Sequence, residues 1–334
     1  MDVLLSACLV VRDEAARIDR CLQALAGLVD EVVVHDTGSL DGTPARLAAH
    51  GAVVVAGGWE DDFAAARNVA LERARGRWVL SVDADEVVRA DAAALRRWLA
   101  DVPEDQLAVT IRNPVVGGGA GYASTTVKLF RRAGARWAGR VHERVVSRGV
   151  EDDETPLRLV PPHLLHIEHD GYADLDTQHR KSARNARLAA LQLDDLAACA
   201  QPDPREVARA ALDLGRSCIG AGELQRAVDA LELARAAAAS GALWRQATDH
   251  LARLLLGAGE AEVALVLADQ LEGGGAPPEY CRWLRAQGLA QTGRPADAIA
   301  QLQHVGAIVD TAGRSHDPAA LGRLRALCEE LLAA

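Results

Sequence analysis

Between residue 3 and about residue 114 the chain alternates short apolar runs with stretches whose apolar residues recur every three or four positions. "VLLSACLVV" is followed by a helical pattern carrying Ala16, Ile18, Cys21, Leu22 and Leu25, then by "EVVVHD", a helix from Thr43 to His50, and "AVVVA". A further helix through "FAAARNVALERARG" leads into "RWVLSVD". Strands that read as continuous apolar runs and alternate with helices predict a parallel sheet covered on both faces. Ligands bind such sheets at the carboxyl ends of the strands, where "HDTGSLDGT" and "DADE" fall.

From 105 to 170 the pattern shortens. "QLAVTIRN", "STTVKLFRR", "ARWAGRVHERVV" and "LRLVPPHLLHIEH" are strand-like pieces divided by Gly, Pro and acidic turns, so a β-rich second half of the same domain is expected. "VVGGGAGYAS" lacks the order of a phosphate loop and reads as a surface turn. After Asp174 the chain turns helical and Ala-rich, with an internal repeat. Gly222, Gly259 and Gly293 lie 37 and 34 residues apart, the period of tetratricopeptide-like helix pairs. Each has a small residue seven positions before it (Gly215, Ala252, Ala286) and an alanine five positions after (Ala227, Ala264, Ala298). Leu231, Ala268 and Leu302 share one apolar position, and Ala234, Leu271 and Val305 another. "HDPAALGRLRALCEELLAA" predicts a terminal capping helix with Asp317 as N-cap and Pro318 at its first position. The expected domains are 1–175, a helical connector 176–204, and helical repeats with a capping helix over 205–334.

Composition narrows the function. A chain of 334 residues has room for two cores. Its net charge of -10, without a long Lys/Arg block, argues against nucleic acid or an anionic membrane as the main partner. The first segment reads as a strand and not an export signal, and no apolar run approaches the ~18 residues of a membrane span. Six scattered cysteines without a C-x-x-C pair suit reduced, mostly buried thiols, so a cytoplasmic location is expected.

The chemistry gathers around "VDADE". Asp83, Asp85 and Glu86 follow a strand of Trp78, Val79, Leu80 and Val82, and carboxylates so close repel one another unless something offsets their charge. On one reading Asp83 or Asp85 caps the helix that starts near Asp91 and solvent screens the rest. On the other, an Asp-x-Asp site holds Mn2+ or Mg2+ against a nucleotide diphosphate. Asp36 can accept a hydrogen bond from a base N–H, ahead of the Thr37-Gly38-Ser39 turn. Arg67, beside Asn68 on a largely apolar helix, suits an ion pair or a phosphate contact. Of His163, His166 and His169, an extended segment sends His166 to the opposite face, which disfavours a three-histidine zinc site.

Taken in order, "CLVVRDEAARIDRCL", "EVVVHDTGSLDGT", "WEDDFAAARN" and "WVLSVDADE" resemble the family 2 glycosyltransferases of the GT-A fold. The branch most similar carries "DTGS-x-DGT", "DFA-x-x-RN" and "DADE" before C-terminal tetratricopeptide-like helices, and includes the sublancin-type peptide S-glycosyltransferases. The resemblance continues through "KLFRR", "GRVHERV", "HIEHDGY" and "KSARNARLAAL", over roughly residues 3 to 193. It implies an α/β, Rossmann-like GT-A nucleotide-diphospho-sugar transferase domain followed by an all-α repeat domain, a nucleotide-sugar donor and inversion at the anomeric carbon.

Residue by residue, the resemblance implies that Asp36 contacts the nucleobase and Asp83 the ribose or diphosphate. Glu14, Arg67 and Asn68 would line the donor pocket, and Lys181 and Arg184 would reach the diphosphate. Asp85 would ligate Mn2+ or Mg2+, with His169 completing the shell. The general base is expected at Glu143, in "GRVHERV", or at Glu86; an ion pair of Glu143 with Arg140 or Arg144 is the structural alternative. The chain departs from the family at Asp13-Glu14, where Asn commonly precedes the Glu, and at His35, where many relatives carry an acid. The expected partners are a UDP-sugar, a peptide, glycan or small-molecule acceptor, and a second copy joined through the repeats. Two other functions fit less well: a nucleotidyltransferase, which would want a Gly-rich basic loop after the first strand, and a repeat scaffold with an inactive sugar-nucleotide domain.

Overall fold

The computed structural model of the chain describes residues 3–113, 122–147, 157–169, 175–317 and 319–333. The glycine-rich stretch 115–121, Gly171-Tyr172 of "HIEHDGY", and Pro318 lie outside the described residues. The chain divides into two compact units, Met1–Asp174 and Leu175–Ala334.

The first unit begins β1 (Leu5–Val11), α1 (Ile18–Leu25), β2 (Glu31–Asp36), α2 (Thr43–Ala49), β3 (Val53–Ala56), α3 (Phe63–Arg73) and β4 (Trp78–Ser81). It continues β5 (Glu86–Ala90), α4 (Ala92–Asp101), β6 (Gln106–Asn113), β7 (Tyr122–Arg131), β8 (Ala135–Ala138), β9 (Arg144–Ser147), β10 (Arg158–Leu159) and β11 (Leu165–His169). One sheet runs in the order β3-β2-β1-β4-β7-β6-β11-β5, with β10 alongside β6; β8 and β9 form a separate hairpin. The first four strands are all parallel, and β7 enters antiparallel beside β4. The chain therefore builds outward from β1 to β3 and then crosses to the other side of β1 to lay down β4. The carboxyl ends of β1 and β4 part at this switch, which is where a crevice opens in an α/β sheet.

Both faces are covered, as continuous apolar strands require. Leu5, Ala7 and Leu9 of β1 join Val34, Trp78 and Leu80 beneath Ile18, Leu22, Leu47 and Leu95 of the helices. Alternate residues Cys8, Val33 and Val79 face Ala64, Ala70 and Leu71 of α3, with Phe130 and Trp137. Asp62 caps α3 by accepting from Ala65 N at 2.8 Å. The cap of α4 is Asp91 itself, which accepts from Ala94 N at 2.9 Å, so neither Asp83 nor Asp85 performs that task. The sequence pattern did not separate β5 from β4. The acid motif is the turn between them, and β5 runs antiparallel to β11 with His169 opposite Glu86.

The second unit consists of α5 (Leu175–Ala197), α6 (Pro204–Gly220), α7 (Leu224–Ala238), α8 (Gly241–Ala258), α9 (Ala261–Gly273), α10 (Pro278–Gln291), α11 (Pro295–Leu302) and α12 (Ala319–Ala333). The repeat glycines end α6, α8 and α10 in the left-handed region, with φ of 72°, 84° and 74°. The small residues Gly215, Ala252 and Ala286 and the alanines 227, 264 and 298 are buried where the paired helices meet. Asp317 accepts from Ala319 N at 2.9 Å at the head of α12. No described helix is long and apolar enough to cross a membrane.

Two glycines separate packing from propensity. A methyl group added at Gly215 would stand 2.6 Å from Leu231 Cγ, whereas one at Gly257 meets nothing within 4 Å. Leu231 is fully buried and has no room to retreat. Gly215→Ala is expected to destabilise the protein by about 1–3 kcal/mol through overpacking. Gly257→Ala should be neutral or stabilising by up to about 1 kcal/mol, since alanine is the better helix former. Urea unfolding of the two variants reads the difference directly.

Candidate active site

At the carboxyl ends of β1 and β2 two loops are laced together. Asp13, with φ of 54°, accepts from Leu40 N through Oδ1 at 2.7 Å, while its own N–H donates to Ser39 Oγ at 2.9 Å. Glu14 N donates to Thr43 Oγ1 at 2.8 Å, and Ala15 N to Asp41 Oδ2 at 3.1 Å. Glu14 lies 3.6 Å from Arg17. Asp36 is buried, and its Oδ1 accepts from both Gly38 N (3.0 Å) and Ser39 N (2.8 Å), the local turn chemistry that aspartate favours. The side chain expected to meet a nucleobase therefore shapes the turn after β2, which β1 separates from the acid motif on β4.

The acids after β4 are met by the protein's own cations. Arg67, on α3, donates from Nη2 to Asp83 Oδ1 at 2.8 Å, from Nε to Glu143 Oε1 at 2.6 Å, and from Nη1 to Ser81 Oγ at 3.2 Å. Its guanidinium also lies 5.1 Å from the Trp137 ring centre. Lys128, on β7, donates to Asp83 Oδ2 at 2.9 Å and to Glu86 Oε2 at 3.0 Å. The turn is closed by Asp83 N, which donates to Glu86 Oε2 at 2.8 Å. Each oxygen of Asp83 thus faces a cation. Burial alone would push its carboxyl up, but the Arg67 and Lys128 charges hold it well below the usual carboxylate range. Burial leaves Glu86 above its ordinary value despite Lys128. Burial opposes the charge on Lys128, but the Asp83 and Glu86 charges outweigh it and keep the ammonium protonated.

Asp85 points elsewhere. His169 Nε2 lies 3.3 Å from Asp85 Oδ2, and His169 Nδ1 lies 3.0 Å from Asn113 Oδ1. The hydrogen bond to Asp85, opposed by burial and aided by the nearby acids, raises the histidine's pKa. An imidazole whose Nδ1 proton is held by an amide oxygen offers Nε2 either as a donor to the carboxylate or as a ligand to a cation shared with it. Among the described residues no three or more His, Cys, Asp or Glu side chains form a metal-holding group by themselves. Asp85 and His169 fit a hard divalent cation that takes its other ligands from substrate phosphate and water.

Several sequence expectations meet here and others do not. Arg67, Asp83, Glu86 and Glu143 form one network, with Asp85 and His169 beside it. Glu143 pairs with Arg67. Asn68, expected to line a donor pocket, instead spends its amide on the backbone of Trp137, accepting from its N–H at 2.8 Å and donating to its carbonyl at 3.1 Å. That pins α3 to β8. Lys181 and Arg184 belong to the helical unit, where both are exposed and Arg184 donates to Asn185 Oδ1. Lys128 was missed. Its signal was a lysine inside the apolar run "VKLF", a place where a charge is kept only if partnered.

Residues 6–144 match the sequence model described as Glycosyl transferase family 2. A TPR repeat-containing protein of Synechococcus elongatus is 36% identical over 185 residues, which cover 54% of this chain and 46% of the relative. The SPbeta prophage-derived glycosyltransferase SunS of Bacillus subtilis is 25% identical over 185 residues, 54% of this chain and 43% of that protein. The chain spans just under half the length of these curated relatives. Among solved structures, TarS 1-349 of S. aureus aligns with a TM-score of 0.41 at 14% identity, covering 92% of this chain and 94% of that one. The Mycobacterium tuberculosis glucosyl-3-phosphoglycerate synthase in complex with Mn2+, UDP and glucosyl-3-phosphoglycerate aligns with a TM-score of 0.28 at 25% identity, covering 35% and 45%.

Removing one buried member of the cation–carboxylate network exposes its cost. Lys128→Met leaves Glu86 buried without its ammonium and should destabilise the protein by about 3–5 kcal/mol. Adding Glu86→Gln in that background removes the stranded charge and should restore part of the loss. Chemical denaturation of the two single variants and the double variant measures the coupling; strict additivity would show that the pair does not act as a unit.

Proposed function

We propose that this chain, whose residues 6–144 match the Glycosyl transferase family 2 model, is a metal-dependent inverting glycosyltransferase that moves a sugar from a UDP-sugar to a peptide, glycan or small-molecule acceptor. The observation that carries the reading is the meeting of Asp85 and His169 at 3.3 Å beside an acid cluster already balanced by Arg67 and Lys128. With Asp83 and Glu86 engaged by the protein's cations, Asp85 is the member of the motif set toward a ligand-bearing histidine. The six cysteines are all outside disulfides, which supports a reducing, cytoplasmic setting.

In this reading Asp85 and His169 hold Mn2+ or Mg2+, which when bound neutralises the leaving nucleoside diphosphate. Asn113 fixes the His169 ring so that Nε2 faces the carboxylate. Glu143 is the general base. Its Oε1 accepts from Arg67 Nε at 2.6 Å, which fixes the direction of the carboxylate. Glu86 is a positioning residue, because its Oε2 accepts from Lys128 and from the backbone of Asp83. Arg67 ties the base and the motif together, so the proton acceptor and the metal-binding turn keep a set spacing.

The test is UDP release from a panel of UDP-sugars with Mn2+, with and without EDTA. Asp85→Asn and His169→Ala should each abolish metal-dependent release and the thermal shift produced by UDP plus Mn2+; full activity of Asp85→Asn would overturn the metal assignment. Once an acceptor is in hand, Glu143→Gln should lower kcat by about 10²–10⁴-fold with the donor KM little changed. Glu86→Gln should cost less in kcat and more in stability. The reverse ranking would move the base to Glu86.

A further inference from the structure

The helical unit contains a cavity of about 650 Å³ between α6, the start of α7 and α8. Its lining combines the guanidiniums of Arg216 and Arg253 and the imidazole of His250 with the apolar side chains of Ile219, Leu224 and Leu254. No acid is among the lining residues. In a protein of net charge -10 this is a local inversion of sign.

The nearest acids do not satisfy the arginines. Asp213 Oδ1 lies 3.7 Å from Arg216 Nη1, and Asp249 Oδ1 lies 3.6 Å from Arg253 Nε, both beyond hydrogen-bonding distance. Asp249 is already committed: Tyr280 O–H donates to its Oδ1 at 2.6 Å and Thr311 O–H to its Oδ2 at 2.8 Å. Arg253 Nε is buried without a hydrogen-bond partner among the described residues. Arg253 Nη2 donates to His250 Nδ1 at 3.0 Å, so the imidazole keeps its proton on Nε2 and adds a neutral donor to the lining. The field is strong enough that burial, with the charges of Arg253, Arg216 and Arg314, pushes His250 down to about 3.

We infer that this cavity binds an organic carboxylate carried on an apolar body, with the acid group on Arg216 and Arg253 and the body on Ile219, Leu224 and Leu254. Guanidiniums match a planar carboxylate with paired N–H donors, and they do so best where water is partly excluded. The apolar wall supplies the rest of the affinity and selects against bare inorganic anions. Leu224, large and half-exposed at the site, is then a contact awaiting a ligand. The site stands independently of the transferase reading, since none of its residues lies in the α/β unit.

The test uses the full chain and N-acetyl-leucine, with N-acetyl-leucinamide as its uncharged isostere, read by saturation-transfer NMR. The acid should bind and the amide should not. Arg216→Gln and Arg253→Gln should each weaken binding by about tenfold, the scale of one charge-assisted hydrogen bond. Arg323→Gln, on α12, serves as the control and should leave binding unchanged. Thermal melting verifies that each variant is folded, and the wild-type protein gives a second readout that needs no variant: the acid's affinity should fall as salt is raised from low to physiological concentration. Equal binding of acid and amide, or binding of the acid indifferent to both arginines and to salt, would overturn the proposal.

Discussion

The α/β unit depends on a balance of charge at the end of β4. A strand buried on both faces delivers Asp83, Asp85 and Glu86 into one short turn, and such a turn is stable only if the protein carries the compensating cations to it. Arg67 comes from α3 and Lys128 from β7, the helix and the strand that pack directly against β4. The counter-charges are therefore delivered by the same contacts that form the core. Packing and electrostatics cannot be separated here, because α3 is anchored by Asn68 on β8 and simultaneously carries the arginine that the acids require.

Much of this was legible in the chain. The parallel strands, their helices and the repeat register were readable, because a strand buried on both faces is a continuous apolar run and a helix buried on one face repeats its apolar residues every three or four positions. The repeat glycines were readable because a left-handed helix end admits few other residues. What periodicity could not supply was partnership between distant strands. His169 could be singled out, but that it sits opposite Glu86 depends on β11 pairing antiparallel with β5, and no local pattern encodes that register. Lys128 was overlooked for the same reason: its partners are 42 and 45 residues away. Asn68 shows the opposite limit. Its place next to Arg67 suggested shared chemistry, yet successive helical residues face different ways, and this one serves the hairpin.

The helical unit solves a similar problem with different means. There the buried acids Asp249 and Asp310 take their hydrogen bonds from hydroxyl and backbone donors and from His316, while Arg253 stands 3.6 Å from Asp249 without hydrogen-bonding it. In the α/β unit Arg67 and Lys128 hydrogen-bond the buried acids directly; around Asp249 and Asp310 the hydrogen bonds come from other donors, and Arg216 and Arg253 line a cavity. The same residue types thus perform opposite tasks, decided by which neighbours satisfy them first.

The lacing between the β1 and β2 loops carries a different implication, for how this protein can vary. Asp13, Glu14 and Ala15 on one side are bonded to Ser39, Leu40, Asp41 and Thr43 on the other, through side chains whose reach allows no slack. An insertion in either loop would break several of these bonds at once, while matched changes in both could preserve them. The two loops form one inheritable unit, and their lengths are expected to change together or not at all.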